Sequence, residues 1–296
     1  MTEPTTPRET PPQATYLVAP LRDLSAWVRH FSQTEIPVLE ATAAGMERLR
    51  EREDDLEPTE LAAIIQGDPM MTIKFMSYVA GLRRKRDNGT TETETETETV
   101  LSGLVMTGVT PFFRHFGPQP TVQHQLHDQP MALGLLMELL HRAQRGAQFA
   151  TAFAVHRGDT DVEVIHAAAF LHDFAEMLML CHAPTLALEI HAHQQQNPTL
   201  RSASMQRLVY NIELDDLRQA LMQLWQLPSL LVRISDGKHA DHHAVLNVML
   251  AVRLARHTMQ GWDNAALPDD IDDIAKLLNA APRVVLPFLH KVDLPS

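Results

Sequence analysis

The stretch TELAAIIQGDPMMTIKFMSYV (Thr59–Val79) reads as two amphipathic helices meeting at one tight corner. Leu61, Ile64 and Ile65 recur at i, i+3 and i+4, the spacing of one helix face. Pro58 precedes them where a first helical turn tolerates proline, and Glu60 suits the positive end of the helix dipole. Gly67 stops this helix. Asp68 then serves as N-cap and Pro69 as the first residue of the next helix, whose stripe is Thr72, Phe75, Met76 and Val79.

The same helical reading extends in both directions. Upstream, Ile36–Leu39 is a short apolar approach to a helix carrying Ala43, Met46, Leu49 and Arg50. Residues 1–16 are rich in Pro and Thr, without an apolar core. They read as a flexible tail and not as a signal peptide. Downstream, Arg83–Arg86 is a cationic run, and Thr90–Thr99 is mostly a Thr-Glu alternation. Both halves of that alternation are polar, so the segment near 87–99 is expected to be an exposed loop. Val100, Leu101, Leu104 and Val105 resume a helix, ended by Gly108 and Pro111, and a linker is expected from Gly117 to Gln129.

A long helix follows, with Leu135, Leu136, Leu139, Leu140, Ala143, Ala147, Ala150 and Ala154 on one face and Gly158 as its C-terminal cap. Ile165, Ala168, Ala169, His172 and Ala175 share a face on the next helix, which Leu178–Cys181 continues to Pro184. Further stripes run through Leu217–Trp225, Leu230–Ile234, Val245–Val252, Asp270–Leu278 and Val285–Leu289. No hairpin pattern is found. The expected fold is all-α, with two packed helical subdomains over 17–122 and 123–296.

Composition agrees with this class. Hydrophobic residues make up 45 % of the 296 positions and aromatic residues only 5 %, a mix that favours helix over sheet. The formal net charge of -12 repels phosphate backbones, so nucleic acid is not an expected partner. The lone cysteine, Cys181, excludes an internal disulfide framework and multi-cysteine zinc sites and fits a reducing compartment. The apolar runs are short, so no membrane-spanning helix is expected, and the cytoplasm is the expected location.

Histidine is the unusual feature, at 16 residues. His172-Asp173 stands out because it follows Ala-Ala-Ala-Phe-Leu on an apolar helix. A carboxylate beside an inward-facing imidazole is costly unless the pair serves a site or a hydrogen bond. Imidazole with carboxylate suits a divalent metal; the plainer reading is a structural hydrogen bond between helices. His239, His242 and His243 form a second cluster, read as a solvated loop that could take up adventitious metal. Met177 and Cys181 read as core. No nucleophile elbow, phosphate loop or dinucleotide fingerprint is present in the sequence.

AAAFLHDFAEMLML (Ala167–Leu180) resembles the HD superfamily pattern, in which His-Asp ends an apolar helix. In that superfamily an upstream His, the His-Asp pair and a distal Asp hold metal that activates water for phosphate hydrolysis. His141 in LLHRAQ is suitably placed for the upstream position. IPVLEATAAGMERL (Ile36–Leu49), the Asp68-Pro69 corner, VLSGLVMTGV (Val100–Val109) and LWQLP (Leu224–Pro228) sharpen the likeness to one branch, the HDOD proteins, over roughly Leu21–Leu278. The resemblance implies a bacterial regulatory module whose C-terminal subdomain is HD-like. The metal set would be His141, His172 and Asp173, and it is incomplete. The distal Asp should fall in AVLNVMLAVRLARH (Ala244–His257), which contains no acid; Val252 takes its place and Asn247 is a weak substitute. Related phosphodiesterases follow His-Asp with Ile-Gly-Lys, whereas Phe174-Ala175-Glu176 stands here and would repel phosphate.

The resemblance therefore implies a non-catalytic signal-transduction module that binds other signalling proteins; no cofactor is expected, and the acidic charge and short apolar runs make nucleic acid and membrane unexpected partners. A leftover apolar face would support a homodimer. The alternative is a metal-dependent phosphohydrolase with a rearranged centre. It would hold manganese, iron, magnesium or zinc on His141, His172 and Asp173, with Glu176, Asn247 or His242 filling the gap.

Overall fold

In the computed structural model, which describes residues 15–86, 99–197 and 200–293, the Gly67–Asp68–Pro69 corner forms as the sequence predicts. Asp68 is fully buried. Its Oδ1 accepts the amides of Met70 (2.9 Å) and Met71 (3.1 Å), and its Oδ2 accepts the amide of Leu39 at 2.7 Å. One carboxylate thus caps its own helix and ties down a second one 29 residues earlier.

Among the described residues the chain forms helices and no named strand. The first seven are α1 (Leu24–Gln33), α2 (Glu40–Arg50), α3 (Pro58–Gln66), α4 (Pro69–Arg86), α5 (Val100–Thr107), α6 (Val109–His115) and α7 (Val122–Gln125). Next come α8 (Pro130–Arg157), α9 (Val162–Phe170), α10 (Phe174–His182), α11 (Pro184–Gln196) and α12 (Ser202–Tyr210). The chain closes with α13 (Leu214–Leu224), α14 (Ser229–Ile234), α15 (His243–His257), α16 (Leu267–Leu278) and α17 (Pro282–Val292). The fold is all-α. The expected tail over residues 1–14 and the Thr-Glu repeat over 90–98 lie outside the described residues.

Two apolar cores organise these helices. The smaller gathers Val38, just before α2, with Met46, Leu61, Ile65, Phe75, Leu104 and Phe112 from α2 to α6. The larger runs through α8 to α17. α4 serves both: Met70, Ile73 and Met76 enter the larger core, and Met71, Phe75 and Val79 the smaller. That double duty explains why α4 is apolar on two faces. α1 does not follow chain order, because Trp27 and Phe31 lie in the larger core and Trp27 Nε1 donates to the Tyr210 carbonyl at 2.9 Å. The N-terminal segment is thus built into the C-terminal half.

The structure departs from the sequence reading at three places. Pro111 does not end a helix. Gly108, at φ 85°, ends α5, and Pro111 falls in the first turn of α6, where its missing N–H costs nothing. The expected linker over 117–129 contains α7 and pairs with the chain before α2, through Val38 N to Pro120 O (2.9 Å) and Val122 N to Val38 O (2.8 Å). The expected continuous helix from Ile165 to Cys181 is broken at Leu171–Asp173. Val162–His182 is long and apolar enough to cross a membrane by length and composition alone, but 78 % of its most apolar window is buried inside the fold. The turn inside that stretch and its burial mark it as core.

Close approach decides one glycine. A Cβ on Gly103 would stand 2.8 Å from the Phe75 ring and 3.2 Å from Val79 Cγ2. Gly103→Ala is therefore expected to lower stability by about 1–3 kcal/mol through overpacking between α5 and α4, read as a lower urea midpoint at an unchanged slope.

α1 meets α10 at a histidine pair, buried His182 and half-buried His30. The rings of His30 and His182 lie 5.5 Å apart, both pack against Phe31, and neither Nε2 finds a hydrogen-bond partner. Burial disfavours the charged form of both, and His182 is lowered to about 4, with neighbouring His30 adding to the effect. The folded pKa lies below the unfolded value of about 6.5, so the unfolded chain binds more protons between those values. Stability is complete above that window and falls as pH drops through it towards 4. His182→Phe is expected to flatten that part of the stability–pH curve, measured by urea unfolding from pH 7.5 to 4.5.

Candidate functional site

α9 is apolar throughout its inner face and ends at Phe170; Leu171, His172 and Asp173 form a turn, and α10 starts at Phe174. The break projects His172 and Asp173 from a helix junction towards the middle of α8. His172 Nδ1 donates to Asp173 Oδ1 at 2.8 Å. On the other side of the carboxylate, Arg142 of α8 donates from Nε to Asp173 Oδ2 at 2.8 Å, and its Nη2 reaches Glu176 Oε2 at 3.2 Å. Arg218 of α13 completes the junction, donating to the His172 carbonyl (3.0 Å) and the Ser235 carbonyl (3.1 Å).

The charges settle accordingly. Burial alone would raise the Asp173 carboxyl, but the Arg142 guanidinium and the His172 hydrogen bond outweigh it and hold Asp173 well below the usual carboxylate range. Burial also works against the charge of Arg142, and the two carboxylates more than restore it. Glu176 is raised by burial and by the nearby Asp173 charge, against the pull of Arg142. His172 is lowered, first by burial and then by the Arg218 charge. The site thus holds an ionised aspartate, a permanent guanidinium and a neutral imidazole.

Of the sequence-predicted residues, the structure brings together His172, Asp173 and Glu176. His141 is exposed, one position before Arg142 on α8. Val252 is buried and packs against Gly146 of α8. Asn247 is fully buried and donates to the Ala150 carbonyl at 3.2 Å, with its Oδ1 unpartnered. His242 and His243 stack 4.7 Å apart, and His242 Nδ1 accepts the Ala244 amide at 3.3 Å, capping α15. His243 lies 3.5 Å from Asp159, and His239 lies 3.6 Å from Asp236. Met177 and Cys181 are buried in the core.

A divalent metal does not fit this arrangement. Both oxygens of Asp173 already have partners, one of them a cation. Among the described residues no three His, Cys, Asp or Glu side chains are placed to hold an ion together. Beside the site lies a cavity of about 280 Å³, whose lining includes Arg142, Glu176, Tyr210 and Arg256.

The sequence reading missed the two arginines, though spacing signals both. Arg142 follows Leu135 and Leu139 at i+7 and i+3. Arg218 stands with Leu214, Leu217 and Leu221 on one buried face of α13. A charged residue on an apolar stripe calls for a buried partner.

Helix order, the two cores and the His-Asp turn define an all-α, HD-like fold. The sequence profile of the HDOD domain matches residues 36–241, and the chain belongs to the HDOD family. The structure is similar to that of the MmoQ response regulator from Methylococcus capsulatus str. Bath, with a TM-score of 0.64 at 15 % identity, covering 87 % of this chain and 98 % of that one. It is also similar to a virulence factor from Campylobacter jejuni subsp. jejuni, with a TM-score of 0.61 at 15 % identity, covering 93 % and 98 %. At such identity the likeness is one of fold. A search of curated proteins finds no match.

Proposed function

We propose that this chain is a non-catalytic regulatory module that acts by binding other signalling proteins, and that its His-Asp pair is a structural knot. The observation that carries this reading is Arg142, whose guanidinium occupies the acidic face of Asp173 at 2.8 Å. A metal centre uses a cation to neutralise such a carboxylate; here a side chain does it permanently. Val252 in place of an acid and Glu176 in place of a lysine point the same way. The response regulator with the same fold supports the signalling role by analogy. The strongly acidic surface favours protein partners over nucleic acid.

Elemental analysis of untagged protein, prepared without chelator or nickel resin, tests the reading. The expected result is a stoichiometry near zero after dialysis against manganese, iron or zinc, with no turnover of cyclic dinucleotides. Bound metal together with turnover, both lost in His172→Ala, would overturn it.

A further inference from the structure

A second cavity, of about 290 Å³, opens between the two cores, where Met76 of α4 and Val100 of α5 face Thr151 of α8 and Glu163, His166 and Phe170 of α9. Its lining sets apolar side chains beside the polar groups of Gln66, Thr72, Thr99, Thr151, Glu163 and His166, so it offers both apolar surface and groups that can orient a small molecule. The His166 ring stacks against Phe170, with centroids 6.1 Å apart.

The protonation of His166 follows from its neighbours. Thr151 Oγ1 donates its only proton to the Ala147 carbonyl at 2.8 Å. With the Thr151 proton on that carbonyl, Oγ1 accepts from His166 Nδ1 at 2.9 Å. In that arrangement Nδ1 carries the proton and Nε2 is left as an acceptor, with no described residue donating to it. Burial keeps the ring neutral. Glu163, one turn earlier and exposed, places a negative charge at the mouth.

We propose that this cleft binds a small heteroaromatic molecule, neutral or cationic, that donates a ring N–H to His166 Nε2. The volume takes one or two fused rings, Met76 and Phe170 supply the apolar and sulfur–aromatic contacts, and Glu163 with the acidic surface discriminates against anions. Occupancy would brace α4 against α9, the helix that leads directly into the His172-Asp173 turn. This site is a candidate input of the module and stands whether or not the knot is catalytic.

Tryptamine, with an indole N–H and an ammonium group, is the probe; indole-3-acetate is its anionic counterpart. In protein labelled with 15N at histidine, tryptamine is expected to move the His166 Nε2 resonance saturably. His166→Phe is expected to weaken binding by about tenfold, the loss of one hydrogen bond. Ala167→Phe, which fills the cleft from a half-buried position, is expected to abolish binding while His166 stays intact. A His166 resonance unmoved by millimolar tryptamine in the wild-type protein would overturn the proposal. So would undiminished binding to folded Ala167→Phe, or equal affinity for indole-3-acetate.

Discussion

Arg142→Ala is expected to lower the unfolding free energy by about 3–5 kcal/mol, the cost of stranding one member of a buried ion pair. Asp173 has a side chain only 9 % exposed and loses the cation bonded to its Oδ2, while Glu176 loses its partner as well. Arg142→Lys keeps the charge but cannot span two carboxylates with a planar fork, so it is expected to recover only part of the loss. In the Arg142→Ala, Asp173→Asn double variant the stranded charge is gone. Its stability should therefore exceed that of Arg142→Ala alone, giving a coupling energy of about 2 kcal/mol or more in a double-mutant cycle. Purely additive losses would show that the ion pair does not hold α8 to the α9–α10 junction.

The pH dependence has a defined sign. Asp173 is held below its unfolded pKa of about 3.9. Its contribution is therefore present above that value and lost as pH falls through the folded pKa. Removing Arg142 takes away the strongest influence that lowers Asp173, while His172 and Arg256 remain, so its pKa rises and the variant should lose less stability than wild type on acidification from pH 7 towards 4. Urea unfolding of both proteins across that range checks it.

The same residues show how far the chain could be read in advance. Helices with caps and periodic apolar faces were legible, because proline, glycine and Asp68 punctuate them locally. The α9–α10 break was not, since Leu171–Asp173 continues the apolar period and no glycine or proline marks it. The place of α1 was not legible either. The contact of Trp27 with Tyr210 spans 183 positions, and nothing local encodes it. At the site, His172-Asp173 was visible as a costly dipeptide. The resemblance then drew attention to His141, while its neighbour Arg142 faces the aspartate. On a helix, adjacent positions point about 100° apart, so a one-residue difference separates an exposed imidazole from a half-buried guanidinium.

Asp68 carries the second large effect, because its carboxylate serves two helices at once. α2 has no capping side chain of its own, as its N-cap is Leu39. The Leu39 amide goes to Asp68 Oδ2, and the next amide, Glu40, goes to Gln123 Oε1 at 2.9 Å. Asp68→Ala removes the cap of α4, worth about 0.5–2 kcal/mol, and leaves the buried Leu39 N–H unpaired, worth about 1–3 kcal/mol. Asp68→Ser keeps an acceptor for Met70 and Met71 but is too short to reach Leu39, so it is expected to lose mainly the second share. Asp68→Asn keeps the length, but one amide end must turn a donor towards an N–H, so it is expected to fall well short of wild type. Hydrogen exchange separates the two roles. Exchange at Leu39 should accelerate in both Ala and Ser variants, and exchange at Met71 only in Ala. Losses below about 0.5 kcal/mol in Asp68→Ala, the range of ordinary surface changes, would mean that the corner is held by packing of Met70, Met71 and Ile65 and not by the carboxylate.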